Sequence, residues 1–307
     1  MSSQTASGSS TKSPQSLLLV IATGVVAGFL SGLFGVGGGL VIVPALVTIL
    51  DMEQRRASAT SLVSIILTAA AGSTTYAISG QVSLIATAFL VAGALVGAQI
   101  GVYLLRKLPD WILPWIFVGF VAVVIVSQQL QVPTRDAALV LDVPRGIGLI
   151  VVGVVSGIFS GLVGVGGGSV IVPCLELVVG VGDLLARGTS LLVMIPTAAT
   201  GTWTNLKHGL ADLKTGIIVG LGAAAITPIG AAVAAHVSPE TGNLLFSGFL
   251  LAVVINTVAK ARKKQRLARQ TSAAADESAI DALGVCGDSG SDADDVPHEG
   301  GLNSDAR

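Results

Sequence analysis

The sequence GFLSGLFGVGGGLVIVPAL, which runs from Gly28 to Leu46, occurs a second time as GIFSGLVGVGGGSVIVPCL, from Gly157 to Leu175. Counted over residues 24–46, 17 of 23 residues are identical to those 129 positions later, and no gap is needed. The same offset still aligns Gly119 with Gly248 near the ends of the apolar sequence. The chain is therefore an internal duplication whose repeat unit is about half of its length.

Composition places this duplication in a membrane. The 307 residues are 52% hydrophobic and 11% charged, with a mean hydropathy of +0.82, which excludes a soluble domain with an ordinary charged surface. The two cysteines, Cys174 and Cys286, provide neither a disulfide framework nor the spacing of metal ligands.

The apolar run that contains the first motif is too long for one span. Residues 17–50 carry no charge, and as one straight helix they would extend for about 50 Å, whereas the hydrocarbon core of a bilayer is about 30 Å thick. The helix must break, and Gly35–Gly39 is the expected place. Residues 146–180 contain the equivalent break at Gly164–Gly168. Each broken segment forms either two short spans or a re-entrant hairpin.

The fold class that follows is an all-α polytopic membrane protein. It has two inverted internal repeats, each a glycine-broken helix pair or hairpin followed by three transmembrane helices. The three spans are expected at 57–79, 82–105 and 111–130 in the first repeat, and at 188–206, 213–235 and 241–259 in the second. The expected divisions are a polar N-terminal segment (1–16), a first membrane repeat (17–130), a linker (131–145), a second membrane repeat (146–259) and a basic, then acidic, disordered cytoplasmic tail (260–307).

Charge predicts the topology. If each broken segment crosses twice or re-emerges on its own side, most basic residues share one face. These are Lys12, Arg55, Arg56, Arg106, Lys107, Lys207, Lys214 and the six of residues 260–269. The positive-inside rule makes that face cytoplasmic, with both termini inside the cell membrane. Each repeat then crosses an odd number of times, so the repeats are inverted relative to each other.

The glycine motifs are the candidate substrate site. Irregular backbone at membrane depth survives only where it is buried in protein or lines a watery cavity, and the helix N-termini that follow each break attract anions. The candidate residues are Gly35, Gly37, Gly38, Gly39, Gly164, Gly166, Gly167 and Gly168. The alternative is that these glycines only allow close helix crossing. No metal site and no cofactor-binding fingerprint is present.

Polar residues in the apolar segments are further candidates. Thr75, Thr204 and Asn205 can replace the hydration shell of an anion, unless the hydroxyls bond to carbonyls of their own helices. Glu176 is a candidate proton-coupling carboxylate, and the alternative is a side chain that reaches interfacial water. Arg187 is interpreted first as a loop charge that caps the next helix, and second as an anion contact.

The paired motif GxxSGLxGVGGGxxxVP, at Gly28–Pro44 and Gly157–Pro173, resembles that of the TauE/SafE family of membrane transporters, also described as sulfite exporters. The resemblance covers residues 17–259. It implies transport of small sulfur-containing anions such as sulfite, sulfonates or thiosulfate. The acidic tail departs from the short terminus that is usual in the family.

The expected function is secondary transport of a small anion by alternating access, at a site between the two glycine motifs. Its partners are that anion and the lipid bilayer, with no nucleic acid and no cofactor, and no oligomeric state follows from the sequence. The alternatives are a passive anion channel, and an intramembrane enzyme or metal-handling protein. Against the latter, the sequence has no HExxH or Gly-x-Ser-x-Gly motif, and its three histidines are scattered.

Overall fold

The computed structural model describes residues 14–109, 111–129, 142–242, 244–255 and 258–259. These residues form α-helices and no β-strand, which confirms the all-α prediction. The helices are α1 (Pro14–Phe34), α2 (Gly39–Ile49), α3 (Gln54–Ile78), α4 (Leu84–Lys107), α5 (Leu113–Gln129), α6 (Val143–Val163), α7 (Gly168–Val179), α8 (Asp183–Lys207), α9 (Leu213–His236) and α10 (Pro239–Ile255). Most of the predicted linker and the tail lie outside the described residues.

The duplication in sequence is a duplication in structure. Shifted by 129 residues, the bounds of α1, α3 and α4 coincide with those of α6, α8 and α9. Among them α3, α4, α6 and α9 are long and apolar enough to cross a membrane. Even the caps correspond, because Ser83 accepts from the N–H of Ala86 at the start of α4, and Asp212 accepts from that of Thr215 at the start of α9.

Several helices, among them α3, α6 and α8, begin earlier than the hydropathy pattern predicts. Helix α6 begins at Val143 because Pro144 occupies its first turn, where the missing N–H and the fixed φ of proline are favourable. Helix α3 begins at Gln54, ahead of the apolar residues, because Gln54, Arg55 and Arg56 supply its first turn, and α8 begins at Asp183, directly before Leu184. An acidic residue such as Asp183 is favourable there, at the positive end of the helix dipole.

Both apolar runs break at the glycines, as predicted. Helix α1 ends at Phe34 and α2 begins at Gly39, and the same break separates α6 from α7. Gly35, Gly37 and Gly38 have φ angles of 72°, 71° and 77°, and the equivalent residues of the second repeat have 74°, 86° and 79°. Three left-handed residues within four positions end any helix, and only glycine adopts them without strain. Helix α2 then packs against both α1 and α3.

The first helix of each repeat packs against the last long helix of the other repeat. Helix α1 packs along α9, where Gly28 meets Ala223 and Gly32 meets Thr227, so these two helices run parallel. Helix α6 packs along α4 in the same way, with Gly157 against Ala94 and Gly161 against Ala98. A Cβ on any of these glycines would collide with the facing backbone. The small residues therefore set the close approach of these helix pairs.

The corresponding helices α3 and α8 pack against each other in opposite directions. Gly72 of α3 contacts Leu191 of α8, and Gly201 of α8 contacts Leu62 of α3. These are one contact made twice, since Gly201 and Leu191 are the residues 129 positions after Gly72 and Leu62. A two-fold rotation that exchanges the repeats produces this pattern.

Candidate functional site

The two glycine turns, residues 35–38 and 164–167, lie against each other where the repeats meet. Gly39 packs on Gly164, and a Cβ on Gly39 would lie 2.6 Å from the carbonyl oxygen of Gly164. Gly168 packs on Gly35 in the same way, with the same distance of 2.6 Å to its carbonyl oxygen. Residues 35–39 and 164–168 are all buried. Four of the eight glycines predicted from the sequence thus meet backbone to backbone, and we call this contact of the two turns the crossing.

Two apolar side chains fill the space beside the crossing. Met194 of α8 touches Gly37 and Gly166 with its terminal methyl group, and Ile65 of α3 lies against the same two glycines. Met194 is the residue equivalent to Ile65 at the offset of 129. Both side chains are fully buried. The crossing is therefore closed by a matched pair of apolar residues, one from each repeat.

Serine hydroxyls hold each turn to the opposite repeat. Ser61 of α3 donates to the carbonyl of Gly164 at 2.6 Å, and Ser190 of α8 donates to that of Gly35 at 2.7 Å. These hydroxyls satisfy two carbonyls that the broken helices leave without a helical partner. They also fix the turns to the long helices of the other repeat.

The short helices α2 and α7 point their N-terminal ends at the crossing. The carbonyl of Gly38 accepts from Val41 and Ile42, and that of Gly167 accepts from the equivalent pair at the start of α7. The N–H groups that precede them in each helix have no intrahelical partner. Two positive helix ends therefore lie where the repeats meet, an arrangement that favours an anion.

Arg187 lies inside the protein, and its interpretation as a loop charge was wrong. It belongs to the second turn of α8 and is 3% exposed. Its Nη1 donates to the carbonyl oxygen of Leu33 at 2.6 Å, its Nη2 lies 3.3 Å from Oδ2 of Asp183, and its Cα packs against Gly35. The sequence signal was Asp183 four residues earlier, a spacing that places an acid and a base together on one helix face.

Two further residues surround this ion pair. Tyr76, near the end of α3, donates its hydroxyl to the carbonyl of Gly32 at 2.7 Å and interacts with Arg187. Glu176 of α7 is half-buried and lies within electrostatic range of Arg187 and Asp183. These two residues and the ion pair therefore lie together beside the first glycine turn. In the part of the chain that the structure describes, no group of three or more His, Cys, Asp or Glu side chains could hold a metal ion.

The polar candidate residues of α3 and α8 differ in burial and in their hydrogen-bond partners. Thr75 is half-buried and donates to the carbonyl of Ala71 in its own helix. Thr204 donates to its own helix and to Oε1 of Gln99 on α4, both at 3.1 Å. Asn205 is fully buried. Of the three, only Asn205 is enclosed by the protein, and the structure does not bring the two threonine hydroxyls to the glycine turns.

The family model described as "Sulfite exporter TauE/SafE" matches residues 2–127 and 149–287, which include both glycine turns and most of both repeats. The chain belongs to the TauE/SafE family. This is a family of membrane transporters, and the chain is accordingly a membrane transporter that works in a lipid environment on a small-molecule substrate.

Relatives of known sequence carry similar descriptions. The chain is 26% identical over 263 residues to "Probable membrane transporter protein" from Haemophilus influenzae, covering 80% of this chain and 98% of that protein. It is 41% identical over 88 residues to "Probable membrane transporter protein YunE" from Bacillus subtilis, covering 29% of this chain and 32% of that protein. A third, from Xylella fastidiosa, is 27% identical over 203 residues and covers 64% and 77% of the two chains. No solved structure matches.

Proposed function

We propose that this TauE/SafE transporter is a secondary transporter of small sulfur-containing anions such as sulfite, sulfonates or thiosulfate. It binds its substrate at the crossing of the two glycine turns and lies in the cell membrane with both termini in the cytoplasm. The driving force is an ion gradient or the gradient of the substrate itself, because the sequence has no phosphate-binding loop for a nucleotide.

The observation that carries this proposal is the meeting of the two turns. Here the positive ends of α2 and α7 come together beside Arg187, which lies against Gly35. Broken helices whose N-termini point at an anionic group are the form that such sites take in transporters built from repeats. Backbone N–H groups can also surround an oxoanion closely, because glycine leaves no side chain in the way.

Alternating access follows from the relation between the repeats. The antiparallel contact of α3 with α8 supports an axis in the membrane plane, since α3 is long enough to span and its counterpart runs the opposite way. The turns are buried, and Ile65 and Met194 fill the space beside them. Substrate therefore enters when one repeat moves against the other, and each side opens in turn.

Glu176 is the candidate for coupling to protons. It lies close to the ion pair of Asp183 and Arg187, which itself contacts the first glycine turn. A change in its charge alters the field on that pair. Protonation can therefore bias the position of α8 relative to α1, which the Arg187–Leu33 hydrogen bond joins.

A passive anion channel is the second candidate. The closed crossing favours a transporter, because a channel needs a continuous pathway in its open state. An enzymatic or metal-handling role has no support in the side chains gathered at the crossing.

Uptake and efflux by proteoliposomes test the proposal. The panel is sulfite, thiosulfate, sulfate, taurine and sulfoacetate, each with and without a pH gradient. We expect saturable movement of at least one of the sulfur anions. If none moves while an unrelated neutral solute does, the sulfur-anion assignment is wrong. Large ion currents without saturation would instead identify a channel.

A further inference from the structure

Different side chains lie at the C-terminal ends of α1 and α6, the first helices of the two repeats. At the end of α1, the cation of Arg187 binds the carbonyl of Leu33, and the hydroxyl of Tyr76 binds that of Gly32. At the end of α6, the residues 129 positions away from Arg187 and Tyr76 are Ser58 and Asn205. The guanidinium and the phenol that bind the end of α1 are thus replaced by a hydroxyl and a carboxamide at the end of α6.

These positions correspond in space as well as in sequence. Ser61 binds Gly164 just as its equivalent Ser190 binds Gly35. In the antiparallel pair of α3 and α8, Ser58 and Asn205 each lie one helical turn beyond the contact of Leu62 with Gly201. Arg187 and Tyr76, which interact, occupy the same places at the other end of that pair.

Helix α6 meets this end of the pair directly. The second glycine turn packs on the backbone of Ser58, and the Gly164 N–H donates to the carbonyl of Ser160 in the last turn of α6. Val102 of α4 lies against both Gly161 and Gly201, which brings the end of α6 beside α8. The end of α6, the start of α3 and the end of α8 therefore enclose one small region.

Four side chains on the elements that enclose this region, the end of α6, the start of α3 and the end of α8, are at least nine-tenths buried and have no hydrogen-bond partner within the described protein. They are Ser58, Ser160, Thr202 and Asn205, and we call them the α6 pocket. A buried polar group without a partner is destabilising. Four together indicate that a ligand completes their hydrogen bonding or coordination.

The ligand that fits is a cation. The pocket offers four neutral side-chain oxygens, and α6 and α8 both direct their C-terminal, negative ends toward it. The carbonyl of Ser160 accepts from Gly164, and the carbonyls that follow it in the last turn of α6 have no intrahelical partner and serve as further oxygen ligands. At the end of α1 the equivalent position holds the positive charge of Arg187.

We propose that the α6 pocket binds one sodium ion. The charge of the ligand set selects a monovalent ion, because tight divalent sites use carboxylates and Gln54 stands where the second repeat has Asp183. The two terminal nitrogens of the nearby cation Arg55 donate to the carbonyls of Arg106 and Leu108. In the membrane, broken-helix C-termini and carbonyl oxygens coordinate sodium in the same way.

The sodium site deepens the proposed function and rests on it for its role, which is coupling. A bound ion joins the end of α6 to α3 and α8, as Arg187 permanently joins the end of α1 to α8. One side of the crossing is then held by a built-in charge, and the opposite side is held only when sodium is present.

Binding of radioactive sodium to the purified full-length chain tests this site without any transported anion. The protein is kept in detergent at constant ionic strength with choline as the replacing cation. We expect saturable binding of one ion per chain. Ser58→Ala and Asn205→Ala should each weaken binding about tenfold or more, as loss of a ligand or its support does at metal sites. Ser58→Arg, which copies the charge of Arg187, should abolish binding.

Ser31→Ala is the matched control. Ser31 is equivalent to Ser160, is equally buried and has no partner among the described residues, but it lies at the end of α1 beside Arg187. Its removal should leave sodium binding unchanged. The proposal is overturned if the wild-type chain shows no saturable sodium binding, if Ser58→Arg binds like the wild type, or if K⁺ competes as strongly as unlabelled Na⁺.

Sodium binding and anion uptake are measured separately, so each proposal can fail without the other. Sodium binding by a chain that moves none of the sulfur anions contradicts the anion proposal alone. Uptake of one of those anions at the same rate in sodium and in choline, by a chain that binds no sodium, contradicts the sodium site alone.

Discussion

The hydroxyl of Ser190 donates a 2.7 Å hydrogen bond to the carbonyl oxygen of Gly35, a residue of the other repeat. Its equivalent, Ser61, makes the same bond to Gly164 at 2.6 Å. Since both bonds are buried, Ser61→Ala and Ser190→Ala should each lower the free energy of unfolding by about 1–3 kcal/mol. SDS titration of the purified protein measures this change.

Thr74→Ala is the control for the serine variants, because Thr74 is exposed and its hydroxyl donates only to the carbonyl of Ala70 in its own helix. It should change the unfolding free energy by less than about 0.5 kcal/mol. Equal effects of Thr74→Ala and Ser190→Ala would mean that the cross-repeat bond contributes nothing to stability.

Close backbone contact at the crossing predicts a steric effect. Gly39→Ala would place a Cβ 2.6 Å from the carbonyl oxygen of Gly164, so the two turns must separate, at a cost of about 1–3 kcal/mol. Gly119→Ala is the matched control, since no contact within 4 Å from another part of the described chain meets a Cβ at that position of α5. The midpoint of SDS unfolding should fall for the first variant and stay constant or rise for the second. A stable Gly39→Ala protein would contradict the packing of the turns.

The buried ion pair predicts a non-additive pair of substitutions. Arg187→Met leaves Asp183 buried without its cation, and loss of one partner of a buried pair costs about 3–5 kcal/mol. Asp183→Asn has a similar effect for the converse reason. The double variant should be less destabilised than the sum of the two, and a double-mutant cycle measures the coupling.

Arg56→Met provides the comparison for the ion pair, because Arg56 is exposed at the start of α3. It should have almost no effect on stability. Additive effects of Arg187→Met and Asp183→Asn would show that the two side chains do not interact across the 3.3 Å that separates them.

The helix breaks, which depend on local sequence, could be predicted from the sequence. The burial of individual side chains, which depends on contacts between the repeats, could not. The breaks after Phe34 and Val163 were predictable because consecutive glycines with positive φ end a helix in any context. Arg187 was misjudged because its burial depends on α1, more than 150 residues away, whose carbonyl at Leu33 accepts its hydrogen bond. For the same reason the sequence did not show that Asn205 is fully buried while Thr204 is only half-buried. Adjacent residues of one helix point in different directions, and the packing of other helices on α8 decides which side chain is enclosed.

Glu176 gives a prediction for transport. If this carboxylate couples transport to protons, Glu176→Gln should abolish the pH dependence of anion uptake while uptake itself continues, since glutamine keeps the shape of the side chain without its titration. Uptake in proteoliposomes over a series of external pH values measures the effect. Glu240→Gln is the control, because Glu240 is an exposed acid at the start of α10. An unchanged pH profile for Glu176→Gln removes the residue from the coupling mechanism.

The inverted arrangement predicts that equivalent positions of the two repeats lie on opposite sides of the membrane. Lys107 ends α4 and His236 ends α9, they are 129 residues apart, and both are exposed. With Cys174 and Cys286 replaced by serine, Lys107→Cys should react with a membrane-impermeant maleimide only from the cytoplasmic side of oriented vesicles. His236→Cys should react only from the other side. A permeant maleimide should label both, which confirms that each cysteine is accessible. Labelling of both positions from one side would mean that the chain crosses the membrane an even number of times between them. The repeats would then not be inverted in the membrane.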